Sequence, residues 1–148
     1  MVTTVVALFA VEDGVYVAHV GDSRSYRLRE GKLEQLTEDH SLLNDYKKSR
    51  ALTPEEILAF PHKNVIVRAL GMREAVEVDL RRVAVAQGDT FLLCSDGLSG
   101  MVPDERIAEI VRLHSRDLRG AAQALVDAAN DGGGQDNVTC VLVQHFAS

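Results

Sequence analysis

The stretch Phe91-Leu92-Leu93-Cys94-Ser95-Asp96-Gly97-Leu98 places a carboxylate directly after an apolar run that is typical of a buried strand. The glycine beside Asp96 leaves the carboxylate uncrowded, which suits a hard divalent cation and its water ligands. Two further stretches repeat the pattern: Gly133-Gly134-Gln135-Asp136-Asn137-Val138-Thr139 begins an apolar run, and Gly21-Asp22-Ser23-Arg24 follows one. Each aspartate therefore lies at one end of a predicted core strand.

Taken singly, each of these aspartates is also explained as a turn residue that hydrogen-bonds its own backbone. Taken together, Asp22, Asp96 and Asp136 can gather at one end of a sheet sandwich. Carboxylates brought so close repel each other and raise each other's pKa unless a cation lies among them. Ligands that are all oxygen favour Mg²⁺ or Mn²⁺ over zinc, so we interpret the three aspartates as candidate metal ligands.

The bulk composition is that of one globular domain over residues 1–148, with 46% hydrophobic residues and a net charge of −6. An acidic chain without a basic stripe argues against nucleic acid as a partner, but a phosphorylated substrate stays compatible because bound cations reverse the local field. No apolar run reaches the roughly 20 residues of a membrane span, and no signal peptide pattern opens the chain. We therefore expect no membrane partner and a cytoplasmic protein, with Cys94 and Cys140 as buried free thiols.

The hydrophobic pattern predicts mostly antiparallel strands and a few helices. Strands are predicted over 2–11, 15–20, 25–29, 32–36, 76–85, 89–95 and 138–146, and helices over 54–59, from Pro103, and near 117–130. Continuous apolar character in the first two strands predicts that their sheet is covered on both faces. The polar segment 41–63 predicts an excursion from the sheet, in which Thr53 caps a short helix and Pro54 occupies its first position.

Several familiar catalytic patterns are missing from the chain. It has no phosphate-binding Gly-x4-Gly-Lys-Ser/Thr loop, no Gly-x-Gly-x-x-Gly and no His-Glu-x-x-His, and neither cysteine is followed by an arginine six residues on. Adjacent Asp39-His40-Ser41 could suggest a catalytic triad, but triad members meet from distant positions. We instead expect Asp39 or Ser41 to cap a helix over 42–48, and His19 to be a strand histidine with one satisfied nitrogen.

Six motifs resemble, in order, those of metal-dependent protein phosphatases of type 2C (the PPM family), most closely the compact bacterial branch. They are Gly21-Asp22-Ser23-Arg24, Thr37-Glu38-Asp39-His40-Ser41, Thr53-Pro54-Glu55-Glu56, Arg68-Ala69-Leu70-Gly71, Cys94-Ser95-Asp96-Gly97-Leu98 and Gly134-Gln135-Asp136-Asn137-Val138-Thr139. The resemblance covers essentially the whole chain.

The resemblance implies an α+β fold, an α-β-β-α sandwich of two antiparallel sheets flanked by helices, with two or three Mn²⁺ or Mg²⁺ ions at one edge in the intact domain. Asp96 and Asp136 resemble ligands of the core catalytic metal, and Asp22 resembles the aspartate that joins Asp96 around a third ion. Residues 41–67 resemble the family's flap beside the active site. Residues with a supporting role in the site or the flap are then Gly21, Ser95, Gly97, Asn137, Thr53, Pro54 and Asn64.

The resemblance implies hydrolysis of phosphoserine or phosphothreonine on a protein by a metal-activated water, and we expect this reaction to oppose a Ser/Thr kinase. The family's front portion, with its Asp-Gly-x-Gly-Gly segment, has no match here, so the chain is expected to be the C-terminal part of a catalytic domain. The alternative is a pseudophosphatase or fragment that only binds a partner. Uncovered sheet edges would also favour a homodimer.

Overall fold

Two antiparallel sheets form the centre of the computed structural model, which describes residues 1–61 and 63–146. The first sheet has the strand order β1-β2-β5, and the second has the order β4-β3-β6-β7. The strands are β1 Val5–Val11, β2 Gly14–Val20, β3 Arg24–Arg29, β4 Lys32–Gln35, β5 Asp79–Ala84, β6 Thr90–Cys94 and β7 Cys140–Gln144. One position of the predicted flap, His62, and the last two positions of the predicted domain, 147–148, lie outside the described residues.

Five helices accompany the sheets within the described residues: α1 Leu42–Ser49, α2 Pro54–Leu58, α3 Asp96–Ser99, α4 Asp104–Leu113 and α5 Leu118–Asp131. Helices α4 and α5 pack against the four-stranded sheet. Each has an apolar stripe at helical spacing, for example Ile107, Ile110 and Val111 in α4, and these residues are buried. The α+β sandwich with flanking helices is therefore confirmed.

Two hydrophobic clusters hold the layers together. The larger one lies between the four-stranded sheet and its helices, where Tyr26 and Leu92 meet Leu125. The smaller one lies between the sheets, where Val17 of β2 meets Phe91 of β6. Each large apolar side chain buried in this way contributes roughly 1.5–3 kcal/mol to folding.

The prediction that both faces of the first two strands are covered is wrong for β1. Its burial alternates: Leu8 packs towards the inner cluster, whereas Phe9 is 69% exposed. Strand β2 is mostly buried because it lies between β1 and β5, while β1 forms the edge of its sheet. An apolar run does not reveal whether another layer covers its second face.

The local predictions fare better. Helix α2 begins at Pro54, and the Thr53 hydroxyl accepts a hydrogen bond from the Glu56 N–H at 3.2 Å. Both cysteines are free, Cys94 buried and Cys140 half-buried. Among the described residues, no helix has the length and the apolar character needed to cross a bilayer.

Candidate functional site

The structure brings the three predicted aspartates together at one end of the sandwich. Asp22 follows β2, Asp96 begins α3 directly after β6, and Asp136 lies in the loop before β7. Asp96 lies close enough to Asp22 and to Asp136 for their charges to interact. The three aspartates can approach one another because the end of β2, the end of β6 and the start of β7 lie at the same end of the sandwich.

The surroundings of Asp22 and Asp96 disfavour ionisation of these two carboxyl groups. Burial, followed by the charges of Asp96 and Asp39, raises the pKa of Asp22 to about 6. Burial, followed by the charge of Asp136, also raises the pKa of Asp96. Within residues 1–61 and 63–146, none of the three predicted ligands forms an ion pair with a basic side chain. A group of oxygen ligands without a protein cation fits a divalent metal ion.

Gly21 shapes the turn that presents Asp22. Its φ of +111° lies in the region that favours glycine, and an added Cβ would come within 2.6 Å of the Thr4 Cβ. The neighbouring Ser23 hydroxyl is hydrogen-bonded to the Thr4 hydroxyl at 2.8 Å. The turn is therefore packed against the segment that leads into β1, and only glycine fits there.

Gly97 and Ser95 join the loops that carry Asp96 and Asp136. An added Cβ on Gly97 would collide with the Asn137 carbonyl oxygen, so the glycine permits this close approach. The Ser95 N–H donates to the Thr139 carbonyl at 3.0 Å, and the Thr139 N–H donates to the Ser95 hydroxyl at 3.0 Å. The loops that carry Asp96 and Asp136 are thus joined by two hydrogen bonds.

The local turn explanation of Asp136 is also correct. The Asn137 N–H donates to Asp136 Oδ1 at 2.7 Å, so the carboxylate is oriented by its own backbone. The Ser95 hydroxyl in turn contacts the Asn137 carbonyl at 3.4 Å. The structural role of Asn137 is therefore carried by its backbone.

A cleft of about 460 Å³ opens beside Asp22 and Asp96. The predicted flap contributes to its lining through Asn64, together with Lys47 and Lys63. Thr53 and Pro54, by contrast, begin α2 and are not part of the described lining. The cleft thus combines carboxylates with basic and amide side chains.

Arg24 and Asp39 form a partly buried ion pair, which the sequence did not predict. Arg24 donates to both carboxylate oxygens of Asp39, at 2.9 and 2.6 Å, and also to the Tyr26 hydroxyl at 2.9 Å. Both residues line the cleft. The available signal was the position of Arg24 two residues after Asp22, but its partner could not be read from spacing.

The remaining motif predictions are resolved by the structure. Ser41, not Asp39, caps α1, because its hydroxyl accepts from the Asn44 N–H at 3.2 Å. This use of the hydroxyl agrees with the rejection of a triad at Asp39-His40-Ser41. His19 lies in β2 with its Nε2 hydrogen-bonded to the Glu38 carbonyl at 2.8 Å, as expected.

Comparison with known proteins agrees with the geometry. A family profile described as "Protein phosphatase 2C" matches residues 1–134. The serine/threonine phosphatase stp of Listeria monocytogenes is 43% identical over 144 residues, which are 97% of this chain and 57% of that protein. The chain thus spans little more than half the length of this curated relative.

Solved structures are similar over the same extent. The Mycobacterium tuberculosis serine/threonine phosphatase PstP/Ppp superposes with a TM-score of 0.89 at 36% identity, covering 98% of this chain and 60% of that one. The catalytic domain of the serine threonine protein phosphatase PstP, in complex with 2 manganese ions, gives a TM-score of 0.79 at 37% identity, covering 96% and 58%.

Proposed function

The chain belongs to the protein phosphatase 2C family, and from this premise we propose that its site serves metal-dependent hydrolysis of phosphoserine and phosphothreonine in proteins. The observation that supports the proposal is the pair Asp22 and Asp96 in the lining of an open cleft, with Asp136 next to Asp96. Because the chain spans 57% of its Listeria relative, the activity, substrates and partners of the whole protein are part of the proposal.

The donor set fits Mn²⁺ or Mg²⁺. Carboxylate oxygens are hard ligands, and burial, followed by the charges of neighbouring carboxylates, raises the pKa of Asp22 and of Asp96, so a bound cation would stabilise their ionised forms. We propose that Asp96 and Asp136 hold the core catalytic ion, and that Asp22 and Asp96 share a neighbouring one. Ions bound there would activate a water for attack on phosphorus and neutralise the phosphoryl oxygens.

The other residues of the cleft have supporting roles in this proposal. Arg24 neutralises Asp39, which otherwise adds to the negative charge at Asp22. Lys47 and Lys63 add positive charge to the lining, which suits a phosphorylated side chain. The flap over 41–67, through Asn64, would then influence which phosphoprotein enters.

We also propose the cellular setting that follows from this chemistry. The enzyme would remove phosphate added by a Ser/Thr kinase, as part of signal transduction in the cytoplasm. Pairing of two copies through sheet edges is the second part of the proposal, supported by the edge positions of β1 and β7 and by the exposure of Phe9 and Val143.

Calorimetry with Mn²⁺ tests the metal assignment. We expect the chain to bind with a dissociation constant on the order of millimolar, as do other sites with few protein ligands. Asp96→Asn and Asp136→Asn should lose most of the heat. Glu12→Gln is the matched control, because it removes an exposed carboxylate from the β1–β2 turn, at the other end of β2 from Asp22. Equal binding by all four proteins would overturn the assignment.

Hydrolysis of p-nitrophenyl phosphate and of a phosphothreonine peptide tests the reaction. We expect slow, Mn²⁺-dependent turnover by this chain that Asp136→Ala abolishes, because three carboxylates can hold only part of a two-metal cluster. Metal binding with no turnover would favour the alternative, a non-catalytic module that binds a phosphoprotein. Turnover that needs no metal would overturn the proposal.

A further inference from the structure

A second polar cluster lies behind the Asp22 turn, formed by His19, His40, Asp79 and Arg68. Both histidines are buried, and their rings stack with centroids 4.6 Å apart. The ligand atoms of His19, His40 and Asp79 lie within 4.8 Å of one another, a spacing at which a metal ion could bind. Whether they can do so depends on which nitrogen of His40 carries the proton.

The hydrogen bonds of His40 decide this point. The Gly21 N–H donates to His40 Nδ1 at 3.0 Å, so Nδ1 presents its lone pair. In the neutral ring the proton is therefore on Nε2, which donates to Asp79 Oδ2 at 2.8 Å. Neither nitrogen of His40 is free for a cation. Arg68 Nη1 lies 3.0 Å from Nε2, but both are donors in this tautomer, and each donates to Asp79. The cluster is a chain of hydrogen bonds and not a metal site.

The series of hydrogen bonds ends in an ion pair between Asp79 and Arg68. Arg68 Nη1 donates to Asp79 Oδ1 at 2.8 Å. Burial, the largest influence, would raise the pKa of Asp79, but the hydrogen bonds from His40 and Arg68 outweigh it and lower the pKa. Asp79 is therefore ionised at neutral pH and accepts a hydrogen bond from the His40 Nε2–H. This hydrogen bond holds His40 in the tautomer whose Nδ1 can accept from the Gly21 N–H.

His40 also holds Gly21 through its backbone. The His40 N–H donates to the Gly21 carbonyl at 3.0 Å, so one residue clamps the glycine on both sides. The His40 carbonyl in turn accepts from the Val67 N–H at 2.9 Å. Because the predicted flap begins at Ser41, the cap of α1, and ends at residue 67, His40 lies where both ends of the flap meet the Asp22 turn.

We propose that His40 is a positioning residue for Asp22: through Gly21 it fixes the direction in which the Asp22 carboxylate faces the candidate metal site. Asp79 and Arg68 hold the imidazole, the imidazole holds the Gly21 amide, and the turn presents the carboxylate. The inference rests on the proposed function for the metal-binding role of Asp22 alone. The hydrogen bond to Gly21 does not depend on that function.

His19 offers a matched control. It is buried like His40, stacks on it, and bonds the Glu38 carbonyl through Nε2. His40→Phe and His19→Phe therefore each replace a buried imidazole by a somewhat larger ring that cannot form these hydrogen bonds, but only the first removes the acceptor of the Gly21 N–H. His40→Asn is the rescue variant, because its amide oxygen can take the place of Nδ1.

Two readouts test the proposal on the full chain. In metal-free protein, hydrogen exchange of the Gly21 amide should be at least roughly tenfold faster in His40→Phe than in His19→Phe, and slow again in His40→Asn. In Mn²⁺ titrations, His40→Phe should weaken the Asp22-dependent site by roughly 10- to 100-fold, the usual effect of losing a residue that orients a ligand. His19→Phe should stay close to the wild type.

The outcomes separate the two proposals. If Gly21 exchange and Mn²⁺ affinity are the same in His40→Phe and His19→Phe, the positioning role is refuted and the proposed function is untouched. If His40→Phe does not fold, His40→Ala takes its place, and a Gly21 amide that exchanges as slowly there as in the wild type gives the same refutation. If Asp22→Asn leaves Mn²⁺ binding unchanged, the proposed role of Asp22 fails, and so does the positioning of a ligand by His40.

Discussion

Replacing Asp22 by asparagine should stabilise the metal-free protein at neutral pH. Burial and the charges of Asp96 and Asp39 raise the pKa of Asp22 from 3.8 to about 6. A carboxyl group with a raised pKa in the folded state favours folding most when it is protonated. Its contribution is therefore fully present below about pH 4 and is lost as the pH rises through about 6. At pH 7 the ionised Asp22 favours unfolding.

The magnitude follows from the size of the shift. Two pKa units correspond to about 3 kcal/mol, but Asp22 is only half-buried, so solvent screening reduces the effect to about 1–2 kcal/mol. For a domain of this size, that is a rise in melting temperature of about 3–6 °C. Metal at ten times the dissociation constant should largely cancel this difference, because a bound ion adds about 1.4 kcal/mol to the stability of the wild type.

The assay is thermal or urea unfolding in a chelator between pH 4 and 8. The free energy of unfolding of Asp22→Asn should exceed that of the wild type by the full difference at pH 7 and nearly equal it at pH 4. That of Glu12→Gln should match the wild type at every pH. A stabilisation of equal size at both pH values would refute the electrostatic reasoning, because it would not depend on ionisation. A less stable Asp22→Asn at pH 7 would show that Asp22 contributes favourable contacts that outweigh its charge.

Three further predictions concern the fold around the site. Asp89→Ala should cost about 1–3 kcal/mol in urea unfolding because it removes a buried carboxylate that accepts from the partly exposed Arg29 and leaves the Ala86 N–H without its acceptor, whereas Asp13→Ala, which breaks an exposed pair, should change stability far less; burial would raise the pKa of Asp89, but its hydrogen bonds lower it, so this stability should be present at neutral pH and lost in acid. Gly97→Ala should cost about 1–3 kcal/mol and weaken Mn²⁺ binding, because the added methyl group forces the two aspartate loops apart; Gly132→Ala, in which the added Cβ would lie 3.3 Å from the Met101 carbonyl oxygen, should cost less and leave Mn²⁺ binding unchanged. Sedimentation equilibrium at micromolar concentration should detect dimers that Phe9→Asp dissociates; a monomer of 16.2 kDa for the unsubstituted chain would refute pairing through β1.

Much of the local structure could be predicted from the sequence because its causes are local. Thr53, Pro54 and Glu56 lie within one turn of helix, so their order alone predicts the capped start of α2. The same holds for Ser41 at the start of α1, although the sequence left Asp39 as an equal choice. Asp39 instead pairs with Arg24, and that choice depends on a residue 15 positions away.

The candidate site shows the same division. The sequence by itself determined that three aspartates stand at strand ends beside glycines, and their residue types and order were enough to indicate a divalent metal site. Only the tertiary structure decided that Gly97 must make room for the Asn137 carbonyl, that His40 clamps Gly21, and that the second face of β1 is uncovered. Each of these features depends on the distance between segments that are far apart along the chain. Periodicity records which side of a strand is apolar, but only folding determines what comes to lie against it.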